Sequence, residues 1–177
     1  MEIDILNAIQ TLRNPFLDWL MPVISHMGNG VLYIVLAVVL LCFKKTRRIG
    51  MVLTLALILE YTIVSILLKP AVARPRPYTV NTLIQLLIEE PKDWSFPSGH
   101  TSAAFTMIFA LYFMKNRWWI PMAIFGVLVA FSRMYLYVHY PTDVLGGLLL
   151  GVLSGYIGYK IMEKLKNKGF PEISQRK

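Results

Sequence analysis

The stretch "IGMVLTLALILEYTIVSILL", residues 49–68, holds twenty residues and one acidic or basic side chain, Glu60. A run of that length and composition matches the hydrocarbon thickness of a bilayer when helical. It is bounded on one side by "KKTRR" (44–48) and on the other by "KPAVARPRP" (69–77). Four more apolar runs are legible as spans, at roughly 28–43, 100–115, 118–136 and 142–162. The sequence therefore predicts an all-α, polytopic membrane helix bundle with five clear spans. The rest of the chain agrees: 177 residues are 56% hydrophobic, and the mean hydropathy is +0.55. A soluble domain of this size cannot bury that much apolar surface.

Residues 1–27 read differently. Ile5, Ile9 and Leu12 fall near one helical face, and "NPFLDWLMPVISHMGNG" is apolar but short, with Asp18, Pro22 and His26 inside it. Two amphipathic helices at the outer interface are expected, with Trp19 as anchor and His26 as an interfacial polar residue. The alternative is a short sixth span. The start lacks a basic region of the kind that opens a cleavable signal peptide, so none is expected. No internal repeat or low-complexity tract is read, and a single domain over 1–177 is expected.

The net charge is +8, which could suggest nucleic acid, but its distribution says otherwise. Of the 18 basic residues, 12 fall in the 44–48 loop, the 115–117 loop and the C-terminal tail (163–177 with Lys160), which ends in Arg176 and Lys177. The positive-inside rule makes that side cytoplasmic. The other six are Arg13, Lys69, Arg74, Arg76, Lys92 and Arg133. Topology does not ask for positive charge there, and four of them fall in or beside three polar segments: "KPAVARPRP", "FPSGH" (96–100) and "SRMYLYVHYPTD" (132–143).

Each segment sits at the outer end of a span, so packing can gather them over one pocket. Lys69, Arg76 and Arg133 together would neutralise a phosphate, the arginines adding two-pronged geometry. Ser98 and Gly99 precede a helix start, where backbone N–H groups favour an anion. His139 and Asp143 stand four apart, neighbours on a helical turn, with Pro141 tolerated at the first helical position. A carboxylate on Nδ1 would leave Nε2 of His139 free to attack, with His100 as proton donor and acceptor. The lone Cys42 excludes an intrachain disulfide, and no Cys/His/carboxylate spacing suggests zinc. No metal or cofactor is expected, and the expected partners are membrane lipids and a lipid phosphate substrate. Glu60, inside a span, is expected to face the bundle interior and to pair there.

In order, Lys69-x6-Arg76-Pro77, Pro97-Ser98-Gly99-His100 and Ser132-Arg133-x5-His139-x3-Asp143 resemble the type 2 phosphatidic acid phosphatase (PAP2) superfamily, from about Asn14 to the last span. The resemblance implies a metal-independent membrane phosphatase. Lys69, Arg76, Ser98, Gly99 and Arg133 would bind phosphate, His139 would be the nucleophile, Asp143 its partner and His100 the acid/base. Arg74 makes a second register of the first motif possible; the spacing from Lys69 selects Arg76, leaving Arg74 as a headgroup contact. The size and the N-terminal stretches look like small bacterial undecaprenyl-diphosphate phosphatases. Those enzymes often carry Asp where Gly99 stands, which keeps phosphatidylglycerophosphate and phosphatidate as competitors. A non-hydrolytic lipid or anion carrier would share the helices and basic loops, but would not need His100, His139 and Asp143 together.

Overall fold

The structure is a computed structural model, and residues 1–168 of it are described; Arg176, Lys177 and the rest of the basic tail beyond Lys168 lie outside the described residues. The described chain is helical, without strands. Two N-terminal helices, α1 (Glu2–Gln10) and α2 (Pro15–Met27), are followed by α3 (Gly30–Cys42) and α4 (Arg47–Tyr61). Helix α4 continues as a π-helix (Thr62–Leu68) and a single turn, α5 (Lys69–Val72). A second single turn, α6 (Pro77–Val80), and a loop over 81–98 lead to α7 (Gly99–Phe113), α8 (Trp119–Tyr135) and α9 (Pro141–Asn167).

The helix boundaries follow local chemistry. Asn14 caps α2, its side chain accepting from Leu17 N–H at 3.0 Å, with Pro15 at the first helical position. Helix α2 ends at Gly28, and Asn29 caps α3 through Val31 N–H at 3.0 Å. These two residues bend the α2–α3 pair by 47°.

By length and composition, two helical segments among the described residues are long and apolar enough to cross a membrane: Arg47–Val80 (34 residues) and α9 (27 residues). The bent α2–α3 pair makes a third if it is one span. Helices α7 and α8 are shorter, at 15 and 17 residues.

Helix α7 lies at the centre, packed on α9, α8 and α4. The α7–α9 seam is a contact of backbones. A Cβ on Gly147 would lie 2.6 Å from the Ser98 carbonyl oxygen, and one on Gly151 2.7 Å from that of Ser102. Gly155 repeats the contact with Thr106 and Ala110. Small residues four apart on α9 thus face Ser98, Ser102, Thr106 and Ala110, also four apart, on α7. The other face of α9 exposes Leu145, Leu149 and Leu153, as a lipid-facing surface would. The seam holds the start of α7 against the start of α9, which puts "PSGH" beside "HYPTD".

Candidate active site

The three polar segments meet. Lys69, Arg76, Gly99, His100, Arg133 and His139 line one cavity of ≈ 530 Å³. Each cation is delivered by a different device. Lys69 follows the π-helix, whose wider turns shift the register of the chain just before the site. Arg76 lies in an extended stretch fixed by Pro75 and Pro77, and Arg133 is in the last turn of α8. All three are at most 6% exposed. Burying three cations together is costly without an anion. Arg133 gives one Nη1–H to Ser25 of α2, while its buried Nε–H has no partner among the described residues.

An anion from the chain already serves the other two cations. Asp93, in the 81–98 loop, pairs with Lys69 and, at 2.6 Å, with Arg76 Nη2. Its backbone carbonyl accepts from Arg76 Nε at 2.8 Å. Burial raises the Asp93 carboxyl, but the hydrogen bond and charge of Lys69, with those of Arg76, outweigh it and hold the group at about 2. The motif reading did not find Asp93, although it stands seven residues before His100 in "DWSFPSGH".

His139 is 1% exposed, on the turn between α8 and α9. Its Nε2 lies 3.2 Å from Arg76 Nη1, and its Nδ1 lies 3.5 Å from Asp143 Oδ2. Burial first, then the positive charges of Arg76, Arg133 and Lys69, holds its pKa well below the ordinary value. A neutral ring keeps a lone pair for attack. Asp143 is fully buried; its Oδ2 accepts from Tyr140 N–H at 2.9 Å and from the Ser95 hydroxyl. His100 is part-buried in the first turn of α7 and faces the same cavity.

Two expected phosphate or headgroup contacts lie elsewhere. Ser98 is fully buried against α9: its N–H donates to the Asp143 carbonyl at 3.0 Å, and its hydroxyl pairs with Thr101. Arg74 is engaged by Glu2, Thr142 and Asp143 rather than facing the main cavity. Glu60 does face inward as expected, and lines the cavity with Tyr61 and Ser65. Exposed His26 reaches its rim from α2. Among the described residues no group of three or more His, Cys, Asp or Glu could hold a metal ion.

Residues 49–167, which carry all three segments, match the model of the PAP2 superfamily. The chain belongs to that superfamily. It is a hydrolase of the PAP2 lipid phosphatase family, and its apolar helices are those of a membrane protein. An undecaprenyl-diphosphatase from Sulfolobus acidocaldarius is 34% identical over 156 residues, covering 88% of this chain and 73% of the relative. The crystal structure of Aquifex aeolicus LpxE superposes with a TM-score of 0.78 at 32% identity, covering 90% of this chain and 94% of that one. A PAP2-type phosphatidylglycerolphosphate phosphatase from Bacillus subtilis gives 0.77 at 29% identity, covering 93% and 85%. The PAP2 fold is thus shared almost end to end, and the site lies within its matched portion.

Proposed function

We propose that this PAP2 protein hydrolyses a lipid phosphate or diphosphate through a phosphohistidine on His139, at the extracytoplasmic face of a multi-pass membrane bundle. The substrate proposed first is undecaprenyl diphosphate. The observation that carries the mechanism is the Nε2 of a buried His139, 3.2 Å from Arg76 Nη1 in the cavity that Lys69 and Arg133 also line, with Asp143 Oδ2 3.5 Å from its Nδ1. The three cations and the backbone at Gly99 hold the phosphoryl oxygens and stabilise charge in the transition state. His139 Nε2 attacks the terminal phosphorus in line, and the P–O bond to the leaving group breaks: the lipid monophosphate departs from a diphosphate, and the lipid alcohol, its oxygen protonated by His100, from a monoester. Water, losing a proton to His100, then attacks the phosphohistidine. Phosphate leaves, and His139 is restored. Apolar Val31, Ile34 and Leu57 line the same cavity and suit a lipid chain beside the phosphate. The cations supply the electrostatic work without a metal.

A second reading, phosphatidylglycerophosphate or phosphatidate, is favoured by the likeness to the Bacillus phosphatase and by Gly99 where small undecaprenyl-diphosphate phosphatases often have Asp. One experiment tests mechanism and substrate together. Purified protein is mixed with ³²P-labelled undecaprenyl diphosphate, phosphatidylglycerophosphate or phosphatidate and quenched. Wild type is expected to release phosphate fastest from the diphosphate. His139→Ala should neither turn over nor form phosphoenzyme. His100→Ala should form phosphoenzyme but turn over roughly 10²–10⁴-fold slower, the usual worth of a general acid. Phosphoenzyme in His139→Ala, absent in His100→Ala, would exchange the two roles.

A further inference from the structure

Asp143 has two oxygens, and only one faces His139. The other, Oδ1, accepts from Arg74 Nη1 at 2.6 Å. The same Nη1 lies 2.7 Å from the Thr142 hydroxyl, and Arg74 Nη2 donates to Glu2 Oε2 at 2.6 Å. Glu2 Oε1 accepts from both the N–H and the hydroxyl of Thr142, at 3.1 and 2.7 Å. The Arg74 guanidinium carbon lies 3.9 Å above the centre of the Tyr140 ring. Every donor of this network comes from a residue beside the nucleophile turn or from the first motif, and its far end is the N-terminal helix.

Helix α1 is docked accordingly. Leu6 is fully buried. Asn7 accepts from the Tyr137 hydroxyl at 2.7 Å, and Gln10 donates to the Tyr135 carbonyl at 2.9 Å. Tyr137 itself has a φ of 60°, a left-handed backbone that an ordinary side chain holds only when its surroundings impose it. The helix expected to lie on the lipid interface thus braces the turn that carries His139.

We infer that Arg74, held by Glu2 of α1, is a positioning residue for the reaction: it fixes the Asp143 carboxylate so that Oδ2 is presented to His139 Nδ1. Burying a charged side chain is costly unless it is paired, and Arg74 is the ion-pair partner on the second oxygen of Asp143. The guanidinium gives one nitrogen to Asp143 and the other to Glu2, in a fixed planar geometry that the single nitrogen of a lysine does not reproduce. The inference rests on the phosphatase reading given above, and deepens it by making the N-terminal helix part of the catalytic apparatus.

The test uses full-length protein in detergent with a short-chain polyprenyl diphosphate and a short-chain phosphatidate, reads kcat and KM on whichever lipid turns over, and reads vanadate binding separately as a thermal shift. Arg74→Gln is expected to lower kcat about 30–300-fold with KM within about threefold, between the cost of an outer-shell partner and that of a triad carboxylate. Arg74→Lys should recover at least about a tenth of wild-type kcat, since it restores one ion pair. Glu2→Gln should cost about 3–10-fold in the wild type and nothing further in Arg74→Gln, because Glu2 acts through Arg74. Vanadate should stabilise every variant, since Lys69, Arg76 and Arg133 are untouched. A raised KM with unchanged kcat in Arg74→Gln would make Arg74 a headgroup contact and overturn the inference. So would a Glu2→Gln loss that multiplies with that of Arg74→Gln. If Arg74→Gln does not fold, Arg74→Lys and Glu2→Gln carry the decision, wild-type kcat in both being the overturning result. If wild type binds vanadate but releases no phosphate from either lipid, the phosphatase reading fails and the inference falls with it; wild-type turnover with an indifferent Arg74 sinks the inference alone.

Discussion

Asp93 and Asp143 both accept from arginines, but they stand in different surroundings. Asp143 has no exposure and a full set of partners; the Asp93 side chain is 55% exposed and reaches its cations from a loop. The donors Asp93 occupies, Lys69 Nζ and Arg76 Nη2, belong to the proposed phosphate cradle. An incoming phosphate must therefore displace a carboxylate. Its depressed pKa means that this pairing holds above the ordinary carboxylate value of 3.8 and is lost only as pH falls through about 2. Mild acid does not clear the site. Asp93→Asn should therefore strengthen vanadate inhibition by about two- to tenfold, the scale of a half-exposed ion pair. Inhibition constants at neutral pH check this, and weaker inhibition in the variant would mean that Asp93 arranges the cations instead of competing for them.

At the scale of elements, the α7–α9 seam carries the geometry of the site. Gly147 lies one turn beyond Asp143, and its missing Cβ leaves room for the Ser98 carbonyl. Gly147→Ala puts a methyl group 2.6 Å from that backbone oxygen, and neither helix can yield without opening the Ser98 N–H···O=C Asp143 bond. An overpacking cost of about 1–3 kcal/mol is expected, read as a lower unfolding temperature in detergent together with lost turnover. Leu149→Ala, on the exposed face, should change neither; equal losses in both would remove the seam from the account. The apolar runs and the three motifs were legible in the sequence, whereas the seam made by Gly147, Gly151 and Gly155 shows only once α7 lies against them. Other features could not be read. Asp93 and Ser95 reach the site only through the path of the 81–98 loop. A uniformly apolar run does not distinguish α from π turns, so Thr62–Leu68 left no mark in the sequence. Arg74 looked outward because nothing in its neighbourhood named Glu2, 72 residues away, as its partner.

For the whole molecule, orientation decides which leaflet supplies the substrate. The 44–48 and 115–117 loops carry basic residues that the positive-inside rule would keep on the cytoplasmic side, and Arg48 pairs with Glu163 near the C-terminal end of α9. The cavity residues lie at the opposite ends of α4, α7 and α8, with His139 on the turn that precedes α9. A helix of 27 residues is about 40 Å long, enough to carry α9 through a core of about 30 Å from the site to Lys164 and Lys166. If α7 and α8 cross as well, the basic loops and the histidines fall on opposite faces, and the site meets lipids of the outer leaflet. The expected outcome follows from single cysteines placed where the structure tolerates them. With exposed Cys42 changed to serine, Leu83→Cys sits on the 81–98 loop at a residue 93% exposed, and Asn116→Cys sits between α7 and α8 without altering a charge. A membrane-impermeant thiol reagent added to intact cells should label position 83 and leave 116 unlabelled until the membrane is opened. Labelling of 116 alone would invert the bundle and place the phosphatase site in the cytoplasm, while labelling of both from outside would mean that α7 does not cross.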